Sequence, residues 1–300
     1  MAISSVRAQI NGTWHTLTYD SASGAYTATI TAPGATSYSQ SGGYYNVTIE
    51  ATNTAGTTVS TTGTTLSGLR LVVKETVKPV ITILSPTSGA FVSNNKQPVI
   101  FNITDESGGS GIKLSSLVVK QDGTAVASTA IATTAITNGY SVTYTPASAL
   151  SDGNHTVTIN VNDNDGNAAA EKSTTYKVDT VPPTLNVIAP TAGLITNAAS
   201  LAVRGTTNDS TSSPVTVKIS LNGADQGAVT VDSSGAFSKA VTLAEGANTI
   251  VITATDSAGK TSTVTRSVTL DTSVPVIQSA TITPNPANTG ATVIISVVVK

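Results

Sequence analysis

One phrase recurs three times along the chain, and this repetition constrains the fold more than any other feature of the sequence. The copies read GYYNVTIEATNTAG at 43–56, GNHTVTINVNDNDG at 153–166 and GANTIVITATDSAG at 246–259. Within each copy aliphatic side chains alternate with polar ones, which is typical of a β-strand with one buried and one solvated face. The glycine turn that ends each copy predicts a hairpin with the strand that follows.

A second repeated phrase marks the domain boundaries. It reads ETVKPVITILSPTSG at 75–89, DTVPPTLNVIAPTAG at 179–193 and DTSVPVIQSATITPN at 271–285. Its aligned proline fixes the backbone and cannot donate a hydrogen bond within a central strand, so the phrase predicts a junction followed by a new first strand. The spacing of about 100 residues is that of an immunoglobulin-like domain.

The repeats predict an all-β fold of tandem immunoglobulin-like β-sandwich domains with a short C-terminal β extension. The expected parts are an aromatic-rich N-terminal domain at 1–76, a sandwich at 77–180, a second sandwich at 181–272 and an incomplete fourth unit or strand extension at 273–300.

The last run of the chain is apolar on both faces of the expected strand. An exposed strand of this kind pairs with other chains at its edge, completes a fold in another subunit, or extends the sheet of a neighbouring domain. We expect it to be an assembly strand formed by Val293, Ile295, Val297 and Val299.

A corner position precedes the buried residues of each repeated strand. It holds Tyr45, His155 and Asn248 in the three copies. In immunoglobulin-like folds this corner often holds a tyrosine whose hydroxyl binds the backbone. We therefore interpret all three residues as structural, with His155 as a polar substitute for the tyrosine rather than a metal ligand or general base.

The composition argues against several classes of function. Charged residues make up 11% of the chain, the net charge is −2 and basic residues do not cluster, so we expect no nucleic-acid partner. The absence of cysteine excludes disulfides, thiolate metal sites and cysteine nucleophiles. The two histidines, His15 and His155, are far apart in sequence, and no nucleophile elbow, catalytic carboxylate pair or phosphate loop is recognisable. We expect no enzymatic activity, no catalytic residues and no organic cofactor.

The turn NDNDGN at 162–167 is the candidate metal site. Asp163 and Asp165 lie two residues apart before a glycine, as in some calcium-binding loops, but the full ligand spacing with its terminal glutamate is missing. The alternative is an ordinary acidic turn, since aspartate forms local hydrogen bonds in turns. A second acidic loop, TDESGGSGI at 104–112, is interpreted as a crossing between sheets.

Aromatic residues are concentrated near the N-terminus. Trp14, Tyr44 and Tyr45 are candidates for contact with a cell-surface glycan or protein, because amphipathic rings are common at such surfaces. The alternative is that they fill a small core.

Nothing in the sequence predicts insertion into a membrane. No apolar run approaches the roughly 20 residues of a membrane-spanning helix. The N-terminus MAISSVRAQINGTW has no basic start followed by an apolar core, so we expect no signal peptide.

As a whole, the chain resembles a family of phage and prophage Ig-like domain proteins found beside tail and baseplate components. The resemblance rests on the opening MAISSVRAQINGTWHTLTYDSASGAYTATITAP, the segment ITNGYSVTYTPASALSDGNHTVTINVNDNDGNAAAEKSTTYKVDTVPPTLNVIAPT and the ending ATITPNPANTGATVIISVVV. It implies a non-enzymatic structural protein of a phage tail, baseplate or related contractile particle, assembled in the host cytoplasm as a homo-oligomer with other virion proteins. A surface adhesin or spacer at the bacterial cell surface, and a carbohydrate-binding accessory module, remain alternatives.

Overall fold

The computed structural model describes residues 2–300, whose regular structure consists of β-strands and two short 3-10 helices. The chain divides into two compact units, Met1–Asp179 and Thr180–Lys300. The fold is all-β and contains tandem immunoglobulin-like sandwiches, as the repeats predict.

The N-terminal part of the first unit is a small sheet with few buried side chains. Its strands are β1 (Ile3–Ile10), β2 (Thr13–Asp20), β3 (Ala25–Thr27), β4 (Tyr45–Asn46), β5 (Thr48–Asn53), β6 (Thr58–Thr62) and β7 (Arg70–Leu71), with a 3-10 helix at Ser67–Leu69. The main sheet has the order β3-β2-β1-β5-β6, and β4 pairs separately with β7. Its buried hydrophobic residues are Val6, Ala8 and Tyr45, so packing in this part depends on a few contacts.

The rest of the first unit is a sandwich of two sheets. Its strands are β8 (Val80–Ser85), β9 (Phe91–Val92), β10 (Val99–Thr104), β11 (Ile112–Gln121), β12 (Thr124–Ala125), β13 (Ile131–Ile136), β14 (Gly139–Tyr144), β15 (Gly153–Asp163) and β16 (Lys172–Val178), with a 3-10 helix at Ser128–Ala130. One sheet has the order β13-β14-β10-β8 and the other β12-β11-β15-β16-β9.

The core of this sandwich receives side chains from both sheets. Phe101 and Ile103 of β10 and Val142 of β14 come from the first sheet. Ile159 of β15 and Tyr176 of β16 come from the second. All five are almost completely buried, because alternate residues of each strand point into the space between the sheets.

The second unit begins with another sandwich. Its strands are β17 (Thr184–Ala189), β18 (Leu194–Thr196), β19 (Ser200–Asn208), β20 (Thr216–Leu221), β21 (Ala224–Asp225), β22 (Ala236–Thr242), β23 (Gly246–Thr255) and β24 (Thr261–Leu270). The sheets have the orders β17-β19-β22 and β18-β24-β23-β20-β21. Val203 and Phe237 from the first sheet pack in one core with Ile219, Ile250 and Ile252 from the second.

The chain ends in a separate two-stranded hairpin. Strand β25 (Ile277–Thr283) pairs antiparallel with β26 (Ile294–Val299). Every residue from 271 to 300 is exposed, so neither face of this hairpin is covered.

Candidate functional site

Three carboxylates converge beside the loop that joins β10 to β11, and we call Glu75, Asp105 and Glu106 the acidic cluster. Glu75 lies between β7 and β8, whereas Asp105 and Glu106 directly follow β10. One oxygen atom of each carboxylate lies within 4.8 Å of the other two. Glu75 Oε2, Asp105 Oδ1 and Glu106 Oε2 are buried and accept no hydrogen bond. The cluster therefore holds buried acceptors with unused lone pairs.

Glycines and backbone donors shape the loop around the acidic cluster. A Cβ atom on Gly109 would come within 2.8 Å of Asp105 Oδ2, so a side chain there would displace the carboxylate. The N–H of Gly111 donates to Asp105 Oδ2 over 2.7 Å, and the N–H of Ser110 donates to Glu75 Oε1. Gly111 has a φ of +78°, in the left-handed region that favours glycine. The loop thus fixes one oxygen of each of two carboxylates.

The acidic cluster carries negative charge without a basic partner. Burial raises the pKa of Asp105 more than the hydrogen bond from Gly111 lowers it. The charges of Glu75, Asp163 and Asp165 add to this increase. In the part of the chain that the structure describes, no ion pair joins a basic side chain to the cluster. Its chemistry is that of hard oxygen ligands, which suits calcium or magnesium rather than zinc.

Asp163, an expected calcium ligand, lies at the end of β15 and closes its own turn. Its Oδ1 accepts the N–H of Gly166 at 2.6 Å and that of Asn167 at 2.8 Å. Its Oδ2 accepts the side-chain amide of Asn167 at 2.7 Å. Both oxygens of this fully buried carboxylate are therefore engaged within the turn.

Asp165, the second expected ligand, connects the turn to the N-terminal part of the same unit. Its Oδ2 accepts the hydroxyl of Thr36 at 2.5 Å and the N–H of Glu75 at 3.1 Å. Its own N–H donates to Ser110 Oγ at 3.0 Å. The predicted turn thus lies directly beside the acidic cluster and orients it.

The acidic cluster is not predicted as a ligand set by the sequence alone. The loop that holds Asp105 is predicted from its sequence to be a crossing between sheets. The signals that point to the site are the adjacent acids of TDESGG and the acid Glu75 that opens the repeated junction phrase. Sequence alone does not bring these two segments together.

The corner residues Tyr45 and His155 bind nearby backbone or side-chain groups. The Tyr45 hydroxyl donates to the carbonyl of Ala35 at 3.1 Å. His155 Nδ1 lies 2.7 Å from Asp122 Oδ2, and its Nε2 lies 2.8 Å from the carbonyl oxygen of Ser151. Each side chain therefore connects its strand to an adjoining loop.

Asn248 makes a corresponding set of contacts at the start of β23. Its side-chain amide donates to the carbonyls of Ala244 at 2.7 Å and Gly246 at 2.9 Å. Its Oδ1 accepts the N–H of Ala244 and the side-chain amide of Asn222, both at 3.0 Å. The buried amide has its hydrogen-bonding capacity largely filled by the corner loop.

The aromatic residues proposed for surface contact differ in accessibility. Trp14 and Tyr44 are partly buried. The guanidinium of Arg7 lies 4.1 Å from the Trp14 ring centroid, and that of Arg70 lies 4.8 Å from the Tyr44 ring centroid. Tyr45 is 5% exposed, so the expectation that it contacts a glycan is wrong for this residue, whose ring belongs to the interior.

The expected assembly residues lie in or next to β26. All are exposed, namely Val293, Ile295, Val297 and Val299. Ile295 pairs with Ile282 and Val297 with Ala280 in the hairpin register. Because the sheet has two strands, the outer edge of each strand is free to pair.

Two family models match separate parts of the chain. Residues 89–180 match the model described as "Bacterial Ig-like domain". Residues 183–272 match the model described as "Glucodextranase, domain B". A comparison with curated protein sequences found no match. Together with the sheets described above, these matches define a protein of tandem Ig-like repeats, a class whose domains are generally non-catalytic.

Solved structures that the chain resembles include fibronectin(III)-like modules, immunoglobulin domains and titin domains. Fibronectin(III)-like modules of CbhA from Clostridium thermocellum are 18% identical, cover 64% of this chain and 94% of their own, and give a TM-score of 0.42. Domains A168–A170 of titin are 14% identical, with 88% and 85% coverage and a TM-score of 0.41. Immunoglobulin domains 1–5 of Sidekick-1 are 11% identical, with 92% and 55% coverage and a TM-score of 0.38. These are likenesses of fold.

Across residues 2–300, no helix has the length and apolar character needed to span a membrane.

Proposed function

We propose that the protein is a non-enzymatic structural component of a phage tail, baseplate or related contractile particle. Its Ig-like domains serve assembly and contact with the host surface. The partners are further copies of the chain, other virion proteins, and a glycan or protein of the host cell surface. In this proposal the chain assembles in the host cytoplasm and is part of the virion.

The exposed C-terminal hairpin is the observation that carries this proposal. Strands β25 and β26 expose apolar side chains on both faces and leave an edge free on each side. Such edges bind further strands, and exposed apolar patches of this kind mark interaction surfaces. An assembly element of this type suits a protein that is built into a multi-subunit particle.

The assembly role is tested by light scattering coupled to size exclusion. We expect the full chain to be oligomeric and the Ile295→Lys/Val297→Lys double variant to be monomeric, because buried charge at a strand interface is unfavourable. Residues 1–272 serve as a second comparison without the hairpin. A monomeric full chain would contradict the assembly role.

The particle itself is tested by immunogold labelling of lysates and intact cells. We expect the label on tail-like particles released by lysis. Label on the surface of intact, unlysed cells would instead support the adhesin or spacer function.

A carbohydrate-binding accessory module is the second candidate. The model matched by residues 183–272 is named for domain B of glucodextranase. The aromatic residues Trp14 and Tyr44 supply the ring surfaces that sugars stack on. Retardation of the chain in polysaccharide gels, lost in Trp14→Ala, would favour this function over the particle.

A further inference from the structure

We propose that the acidic cluster of Glu75, Asp105 and Glu106 is a calcium-binding site. The bound ion would join the segment after β7 to the loop between β10 and β11. This inference is independent of the proposed particle function, because it rests on the interior of the first unit alone.

The unpartnered oxygens are the main reason to assign a ligand here. Asp105 is 8% exposed, and its Oδ1 is inaccessible and accepts no hydrogen bond. A buried carboxylate oxygen without a partner is unfavourable, because the charge loses its hydration without compensation. Glu75 Oε2 and Glu106 Oε2 are in the same condition and belong to the same cluster. One cation bound by the three carboxylates would compensate for their lost hydration.

The spacing and chemistry of the oxygens select calcium. Calcium binds oxygen at about 2.3–2.6 Å, so two ligands of one ion lie at most about 5 Å apart. The cluster atoms lie within 4.8 Å of one another. Magnesium holds its ligands closer and retains most of its water, and zinc prefers nitrogen and sulfur. Three carboxylates supply part of the calcium coordination sphere.

Water completes the coordination from an adjoining cleft. This cleft of about 430 Å³ is lined by Asp105 and Glu106 together with Asn138 and Asn164. It gives an ion a route to the cluster from solvent. Calcium takes six to eight oxygen ligands and accepts water among them.

The surrounding turn positions Glu75 for the ion. Asp165 accepts the N–H of Glu75 at 3.1 Å, and the side-chain amide of Asn167 donates to the Glu75 carbonyl at 3.2 Å. The N–H of Ser110 donates to the other carboxylate oxygen, Oε1. Glu75 is thus held at its backbone and side chain while Oε2 remains available. In this proposal Asp163 and Asp165 are not the main ligands, but their negative charge favours the bound cation.

Calcium titration of the full chain is the direct test. Isothermal titration calorimetry should detect binding, and calcium should raise the Tm of the first unit by about 5 °C relative to chelator when the ion greatly exceeds its dissociation constant. The variants Asp105→Asn and Glu106→Gln should weaken this binding by about tenfold or more, because each removes a charged ligand. Asp20→Asn, at a partly buried position of β2, and Glu171→Gln, at an exposed position, are matched controls outside the cluster and should bind as the wild type does.

A measurement in chelator separates a ligand role from a structural one. In the presence of chelator, Asp105→Asn should unfold at the wild-type Tm or above it, because the substitution relieves repulsion among the carboxylates. If Asp105→Asn does not fold, the same measurement is made on Glu106→Gln, which lies at a partly buried position. The absence of calcium binding by the wild type up to about 10 mM would overturn the proposal, since even weak extracellular sites bind below this concentration. The proposal would also be overturned if both cluster variants bound calcium with the affinity of the wild type.

Discussion

His155 and Asp122 form a pair at a corner of the sandwich in the first unit, with 2.7 Å between the buried His155 Nδ1 and Oδ2 of the more exposed Asp122. Asp122 lies in the turn between β11 and β12, where its φ is +50°. Its Oδ1 accepts the N–H of Thr156 at 2.7 Å, so the carboxylate binds β15 at two adjacent residues. The imidazole extends this connection to the Ser151 carbonyl. The histidine thus occupies the place where a corner tyrosine would bind backbone alone.

Replacing His155 with alanine should lower the free energy of unfolding by about 2–4 kcal/mol. The change removes a ring that is 7% exposed, together with its hydrogen bonds to Asp122 Oδ2 and the Ser151 carbonyl. Urea denaturation followed by circular dichroism measures the loss. His15→Ala, at a partly buried position on β2, should change the stability by less than about 1 kcal/mol. Equal effects of the two substitutions would contradict a special role for the corner.

The same pair should make stability depend on pH. Burial lowers the pKa of His155, but its hydrogen bonds with Asp122 and Ser151 and the Asp122 charge outweigh this, so the pKa lies above its ordinary 6.5. Burial raises the pKa of Asp122, but hydrogen bonds from Thr156 and His155 outweigh this and hold it below its ordinary 3.8. The contribution of His155 is therefore complete below pH 6.5 and is lost as the pH rises through its folded pKa. That of Asp122 is present above pH 3.8 and is lost as the pH falls through its folded pKa.

The pH effect is measured as the difference in unfolding free energy between the wild type and Asp122→Asn. We expect this difference to be larger at about pH 5 than at about pH 9, because only the lower pH keeps His155 charged. Glu171→Gln, at an exposed position, should show no such change. A difference that is independent of pH would mean that the pair contributes by packing alone.

Gly139→Ala should destabilise the sandwich of the first unit by about 3 kcal/mol or more. A Cβ atom at this position would lie 2.0 Å from the carbonyl oxygen of Ile103, the residue beside its strand partner Thr104. The backbones of β10 and β14 would have to separate. Gly34→Ala is the control, because no atom lies within 4 Å of its added Cβ and its φ is not in the left-handed region. Thermal denaturation should distinguish the two variants, and equal Tm values would refute the close approach.

Asn248→Ala should lower the stability of the second unit by about 2–3 kcal/mol, because it removes several hydrogen bonds at a buried corner. Asn197→Ala, at an exposed position of the same unit, should be nearly neutral. Urea unfolding of both variants provides the comparison. A neutral Asn248→Ala would indicate that water replaces the lost contacts.

The buried face of the repeated strand is predicted correctly from sequence in two of its three copies. Strands β15 and β23 pair with the strands that follow them, β16 and β24, and bury every second residue. In the first copy, β5 also pairs with the strand that follows it, β6 at Thr58–Thr62, but its residues are all partly buried. Alternation identifies a strand, but the contrast between its buried and its exposed face depends on the amount of core available, which is small in this part.

The sequence by itself determined the all-β class, the tandem repeats and the buried face of β15 and β23, because strand periodicity and turn chemistry are local properties. Only the tertiary structure decided which acidic side chains lie close together. Glu75 and Asp105 are separated by three strands, and the turn that holds Asp165 comes later still. Their convergence depends on sheet order and loop geometry, which are not local properties of the sequence. The sequence therefore predicts Asp163 and Asp165 as ligands, whereas the unpartnered oxygens lie in the acidic cluster beside them.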